Sequence, residues 1–314
     1  MGGDFAPTET VAGAVAASRR GVDVVLVGQS ERLAAELETH KADLPVVDAP
    51  DVIQMSDDPA RALRDRPDSS ISICARLVAD GKAQGFVSAG STGAAMAAAA
   101  IFIGRIKGVV RPAIATVIPT PGTPTIVLDS GANPEVSPEQ LAQFAVMGSL
   151  AAQVLFGLES PRVALMSIGE EKGKGRDLER SAWDLLEASL INFIGNVEGR
   201  DVATDKADVI VTDGFTGNVF LKTVEGAAKL SAQYFFEAMS ELPPEVQSEV
   251  MPALFSVRSK LDYETYGGAQ LLGVKSVAVF AHGSSSRVAI SNALSVASDG
   301  AEADLPGRLA EMLG

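Results

Sequence analysis

The sequence predicts an α/β protein built on a three-layer, doubly wound, mostly parallel sheet. Short apolar runs rich in Val and Ile alternate with stretches at helical spacing along the whole chain. The runs are near-continuous in apolar character, as strands buried on both faces are. Five of them lead into Gly-rich polar loops, and ligands of open α/β sheets bind at the carboxyl ends of strands.

In chain order, strands are expected at residues 22–27, 85–88, 114–118, 125–128, 163–168, 209–212 and 276–280. Helices are expected at 31–38, 69–80, 92–105, 139–156, 177–190 and 219–239. No linker separates two halves, so residues 1–314 read as a single α/β domain. Residues 230–261 contain no strand pattern. Pro243 and Pro244 split that stretch into two helices, which makes a protruding hairpin carrying Tyr234, Phe235, Phe236, Met239, Leu242 and Val246. One reading packs this stripe against the body or a second copy. The other lays it on a membrane surface, against which the acidic polar face of Glu237, Glu241, Glu245 and Glu249 argues.

Composition narrows the function. The chain has 314 residues, 46% of them apolar, ample for a large core. With 26 basic and 40 acidic residues the net charge is −14, which disfavours nucleic acid and a polybasic membrane anchor. The single cysteine, Cys74, excludes an intrachain disulfide and fits a cytoplasmic protein. It lies among Ile71, Ile73 and Leu77 and reads as core.

The five loops are 89–94, 129–134, 169–175, 213–218 and 281–286, and they predict a shared small-molecule cleft. Ser91, Thr92 and Gly93 open one helix; Thr216, Gly217 and Asn218 open another. Helix N-termini with nearby hydroxyls suit an anion such as phosphate, although both threonines also read as plain caps. Neither loop is a Walker A sequence or a spaced-glycine dinucleotide fingerprint, so no nucleotide cofactor is expected. No helix carries a metal-ligand spacing. His282, one of two histidines, is a candidate acid or base in a strand-end loop. Asp213 and Asp129 end strands, and either is a ligand group or a structural acceptor. Lys222 stands one turn into its helix, within reach of an anion there or as a surface cation.

Met1-Gly2-Gly3-Asp4-Phe5-Ala6-Pro7, Met55-Ser56-Asp57-Asp58-Pro59, Ser88-Ala89-Gly90-Ser91-Thr92-Gly93-Ala94, Asp129-Ser130-Gly131-Ala132-Asn133, Ile168-Gly169-Glu170-Glu171, Asn192-Phe193-Ile194-Gly195-Asn196-Val197-Glu198-Gly199, Thr212-Asp213-Gly214-Phe215-Thr216-Gly217-Asn218 and Ala281-His282-Gly283-Ser284-Ser285 run in this order along nearly the whole chain. The set resembles the bacterial phosphate acyltransferases of phospholipid synthesis.

That resemblance implies transfer of a long fatty acyl group from acyl carrier protein to inorganic phosphate, giving acyl phosphate without a cofactor or metal. It implies an isopropylmalate dehydrogenase-like fold, a homodimer, and a cytoplasmic enzyme with peripheral membrane contact near a downstream glycerol-3-phosphate acyltransferase. Alternatives are a phosphate acetyl- or butyryltransferase using coenzyme A, and a non-catalytic scaffold of lipid enzymes. On this reading His282, Lys222 and Asp213 are the catalytic candidates. The substrate-binding candidates are Asp4, Ser91, Thr92, Gly93, Asn133, Glu170, Asn196, Thr216, Gly217 and Asn218. An acidic carrier needs a basic patch on this acidic chain, either Arg105, Lys107 and Arg111 or Lys172, Lys174 and Arg176. Ser91 and Ser167 stand where the family usually has Asn, and Gln270 where it usually has Pro. In the family an apolar strand precedes Met-Gly-Gly-Asp, so a central strand is expected to be missing here and the loop Gly2–Asp4 to lack its anchor.

Overall fold

The computed structural model describes residues 1–261 and 266–314, with side chains for 1–254 and 266–314. The strands are β1 (Leu26–Gly28), β2 (Val46–Asp48), β3 (Gly85–Ser88), β4 (Ala113–Ile118), β5 (Thr125–Leu128), β6 (Arg162–Met166), β7 (Asn192–Val197), β8 (Val209–Val211), β9 (Ala269–Leu272) and β10 (Val277–Phe280). The helices are α1 (Thr8–Ser18), α2 (Ser30–Thr39), α3 (Pro59–Asp65), α4 (Ser70–Ala79), α5 (Thr92–Ala98), α6 (Pro138–Phe156), α7 (Asp177–Glu187), α8 (Gly214–Ser240), α9 (Pro244–Leu261), α10 (Arg287–Glu302) and α11 (Leu305–Leu313).

Eight strands form one sheet in the order β3-β10-β9-β4-β5-β8-β6-β7, with helices on both faces. One face packs on α6, α7 and α11 through Leu141, Phe144, Met147, Leu186 and Leu309, all nearly inaccessible. The other end packs on α4 and α5 through Ile71, Ala75, Ala94, Ala98 and Phe86. α6 is a 19-residue helix because both its ends are specified. Ser137 and Gln140 form a capping box, Pro138 opens the first turn, and Gly157 closes it in the left-handed region at φ 67°.

The expected α/β sheet is present, but its directions are mixed. β9 runs antiparallel to both β10 and β4, and β4 runs antiparallel to β5. β4 and β5 form a hairpin because residues 119–124, Pro-Thr-Pro-Gly-Thr-Pro, cannot continue either strand. Helices bury both faces whatever the direction, so apolar runs alone did not distinguish the two. β7 and β9 escaped the apolar-run criterion because Asn192, Gly195, Asn196 and Gln270 interrupt them. α1 escaped because it is small and buried nearly all round, with no polar stripe. The expected helix 92–105 is α5 followed by one π turn, Ala99–Ile103.

β1 and β2 pair parallel as a separate two-stranded sheet. Between β1 and β3 lies a cavity of about 490 Å³, lined by Leu26, Leu33, Ile71, Cys74, Phe86 and Leu294 among others. Burial pushes the Cys74 thiol up to about 11, which keeps it protonated and inert at neutral pH. The loop Gly2–Asp4 nevertheless has an anchor: the Asp4 N–H donates to the Gly283 carbonyl at 2.8 Å.

α8 and α9 are two helices broken at Pro243 and Pro244, where the sequence expects the break. Leu230, Tyr234, Phe235, Leu242 and Val246 are exposed along them, while the side chains of Phe255 and Leu261 lie outside the described residues. Among the described residues no helix is long and apolar enough to cross a membrane.

Candidate functional site

Sheet direction divides the five Gly-rich loops. β3 and β10 are parallel to each other and opposed, through β9 and β4, to β5, β8 and β6. The loops after β3 and β10 therefore leave one edge of the sheet, and those after β5, β6 and β8 leave the other. The single shared cleft expected from the sequence is two separate clusters.

At the β3/β10 edge the chain approaches itself closely. A Cβ added to Gly3 would lie 3.3 Å from the carbonyl oxygens of both Ala89 and Gly283. A Cβ on Gly283 would lie 2.8 Å from Met55 Cε and 3.3 Å from the Asp4 carboxylate, and one on Gly93 2.9 Å from Pro59. Glycine stands at these positions because three loops meet there at backbone distance. This assembles Asp4, Ser91, Thr92, Gly93 and His282 at one edge. Ser91 is buried and caps α5, accepting from the Ala94 N–H at 3.4 Å. Thr92 and Gly93 are exposed on the first turn. α1, α5 and α10 all begin after these loops, and the Glu9 carboxylate of α1 takes the Arg287 N–H at the start of α10 at 2.6 Å, which leaves the positive ends of α1 and α5 at this edge. His282 is exposed, and its Nδ1 lies 2.7 Å from Ser284 Oγ and 3.3 Å from the Ser284 N–H.

At the β5/β6/β8 edge the polar residues satisfy one another. Asp129, with no accessible surface, accepts from the N–H groups of Ile114, Gly131, Ala132 and Asn133 and from Asn133 Nδ2. Asn133 Nδ2 also donates to the Pro112 carbonyl at 2.8 Å. Asp213 caps α8: its carboxylate takes the Thr216 N–H at 2.8 Å and the Thr216 hydroxyl at 2.9 Å. Arg176, itself paired with Glu179, completes it. Gly217 seats α8 against Asp129, since a Cβ there would lie 2.0 Å from the Asp129 carbonyl oxygen. Asn218 is exposed beside Gly131. Lys222 pairs with Glu225 at 2.9 Å, and Glu170 with Lys206 at 2.8 Å. Asn196 is buried and donates to the Glu171 carbonyl at 3.1 Å, while its Oδ1 has no partner among the described residues. The structure thus occupies Asp213, Thr216 and Asn133 with local hydrogen bonds, and it places Lys222 and Asp213 at the opposite edge from His282.

Asp213 has a readable pH signature. Burial pushes its carboxyl up, but the Thr216 N–H, the Arg176 guanidinium and the Thr216 hydroxyl pull harder and hold it below 3.8. A depressed carboxyl contributes its stability above the unfolded value and loses it as pH falls through the folded one. Arg176→Gln should therefore move the acid-unfolding midpoint up and cost about 1–2 kcal/mol at pH 7, the half-exposed arginine limiting the loss. Acid titration of far-ultraviolet circular dichroism checks this, and an unchanged midpoint would show that the ion pair does not hold Asp213.

Of the two basic patches, Lys172 is spent on Asp184 and Glu187, and Arg176 on Glu179 and Asp213. Lys107 and Arg111 remain exposed on the loop after α5, beside Arg105, which donates to the Val110 carbonyl. The sequence reading missed Arg176 as the partner of Asp213 and Ser284 as the partner of His282. Arg176 precedes a capping glutamate by three residues, which was its only local signal.

A family model described as "Fatty acid synthesis protein" matches residues 1–308. The chain is 48% identical over 307 residues to a phosphate acyltransferase of Pelotomaculum thermopropionicum, covering 96% of this chain and 90% of the relative. It is 42% identical over 325 residues to the phosphate acyltransferase of Endomicrobium trichonymphae, covering 100% and 96%. Among solved structures, a phosphotransacetylase from Streptococcus pyogenes superposes with a TM-score of 0.66 at 16% identity, covering 95% of this chain and 92% of that one. EutD phosphotransacetylase from Staphylococcus aureus gives 0.60 at 18%, covering 91% and 90%. These two share the fold.

Proposed function

Since the chain belongs to the phosphate acyltransferase family, we propose that it moves a long fatty acyl group from an acyl carrier protein thioester to inorganic phosphate at the β3/β10 edge. The observation that carries this placement is the meeting of loops Gly2–Asp4, 89–93 and 281–286 beside the N-termini of α1 and α5. N–H groups at such ends bind phosphate by hydrogen bonds and dipole together. In the reaction a phosphate oxygen attacks the thioester carbonyl carbon. The tetrahedral oxyanion collapses, the C–S bond breaks, and the proton carried by monohydrogen phosphate ends on the released thiol. Phosphate is itself the nucleophile, so positioning and stabilisation of the oxyanion supply the rate.

The exposed apolar residues of the α8–α9 hairpin support the reading that this face meets a second copy of the chain. Peripheral membrane contact and handover to a glycerol-3-phosphate acyltransferase belong to the same proposal, and the acidic residues of the hairpin direct that contact away from an anionic bilayer surface.

The test is release of carrier-protein thiol from long-chain acyl carrier protein, with and without phosphate, beside the matching coenzyme A thioester. Phosphate-dependent release, at least about tenfold faster per molar substrate with the carrier protein, is the expected result, a preference of about 1.4 kcal/mol. A coenzyme A preference would make the chain an acetyl- or butyryl-type transferase. No phosphate dependence with either donor would overturn the acyltransferase reading and leave a scaffold.

A further inference from the structure

We propose that Ser284 is a positioning residue that fixes the tautomer of His282, so that the ring offers Nε2–H to the mouth and acts as a hydrogen-bond donor. This rests on the reading of the β3/β10 edge as the reaction site.

His282 Nδ1 lies 3.3 Å from the backbone nitrogen of Ser284, and a backbone N–H donates and never accepts. The same Nδ1 lies 2.7 Å from Ser284 Oγ, whose hydroxyl hydrogen is free to turn toward it. The backbone bond needs a lone pair on Nδ1, and with that lone pair in place the hydroxyl is the donor of the second bond. A neutral imidazole with a lone pair on Nδ1 carries its proton on Nε2. A proton on Nδ1 would set two N–H donors against each other. The loop is held for this by Gly283, whose carbonyl accepts from Asp4, and by the buried Ser285, whose N–H donates to the His282 carbonyl at 3.0 Å.

The chemical consequence is a choice of role. A ring presenting Nε2–H cannot take a proton from phosphate. It can donate a hydrogen bond to the carbonyl oxygen as that oxygen becomes the oxyanion, a bond stronger in the transition state than in the ground state. Proton balance agrees: monohydrogen phosphate gives up the one proton that the leaving thiolate takes, so no net proton passes to His282.

The chain has two histidines, His40 and His282, so long-range proton–nitrogen correlation on histidine-labelled protein resolves the tautomer directly, with the half-buried His40 as internal reference. Wild type should show His282 as the Nε2–H form. Ser284→Ala keeps the backbone N–H and removes the hydroxyl bond, so the Nδ1–H form should rise in part and kcat should fall about tenfold with KM for phosphate unchanged. Ser284→Thr, which keeps the hydroxyl, should restore both. His282→Ala should lower kcat about a hundredfold, and His282→Gln, whose side-chain amide reaches the Nε2 position, should recover part of that loss. A wild-type Nδ1–H signal, or an unchanged tautomer in Ser284→Ala, would overturn the proposal. Full activity in His282→Ala with the expected tautomer would instead overturn the siting of the reaction at this edge.

Discussion

Replacing Asp129 with Ala should remove about 3–5 kcal/mol of folding free energy, because it strands five N–H groups in a site without water access. Its Oδ1 takes the N–H groups of Ile114, Gly131 and Ala132; its Oδ2 takes the N–H and the side-chain amide of Asn133. Asn is the sharper substitution. It conserves shape and removes charge, yet in either orientation its NH2 faces at least two donors. Asp129→Asn should therefore cost nearly as much as Asp129→Ala. Urea denaturation checks both, with the exposed Asp43 mutated to Ala as a surface control near zero. A nearly neutral Asp129→Asn would mean that neither the charge nor the array of five donors sets the requirement.

Two glycines of α8 should respond with opposite signs. Gly217→Ala would place its Cβ 2.0 Å from the Asp129 carbonyl oxygen, so the helix start or the turn must shift. The cost should be about 2–3 kcal/mol or more, as for an overpacked core. Gly226 lies in the same helix with nothing within 4 Å of its would-be Cβ. Gly226→Ala should stabilise by about 0.5–1 kcal/mol through reduced freedom of the unfolded chain and better helix propensity. Equal effects of the two in thermal melts would show that helix propensity, and not close approach, explains Gly217. Both pairs of variants bear on the same point: the β5/β8 edge is an interlock that positions α8.

This bears on how the candidate residues are read. Asp213, Thr216, Gly217 and Asn133 sit in Gly-rich loops at strand ends, the same surroundings as His282, Thr92 and Gly93. From one chain in one dimension the two groups look alike. Hydrogen-bond partners separate them: the first group is saturated locally, while Thr92 and Gly93 are exposed on the first turn of α5 and His282 is exposed with Nε2 directed away from its Ser284 contact. The partnership of Arg176 with Asp213 spans 37 residues, and no local pattern encodes it.

The sequence by itself determined the α/β class, the helix break at Pro243 and Pro244, the inert cysteine and the family. Each rests on local information: continuous apolar runs, proline breaks, composition, and ordered short motifs. Only the tertiary structure decided strand direction, the division of the five loops between two sheet edges, and which polar groups remain available. Direction and register depend on contacts between residues far apart in the chain, here β9 inserted between β4 and β10. Burial on both faces looks the same in either direction, so the apolar pattern carries no sign of it.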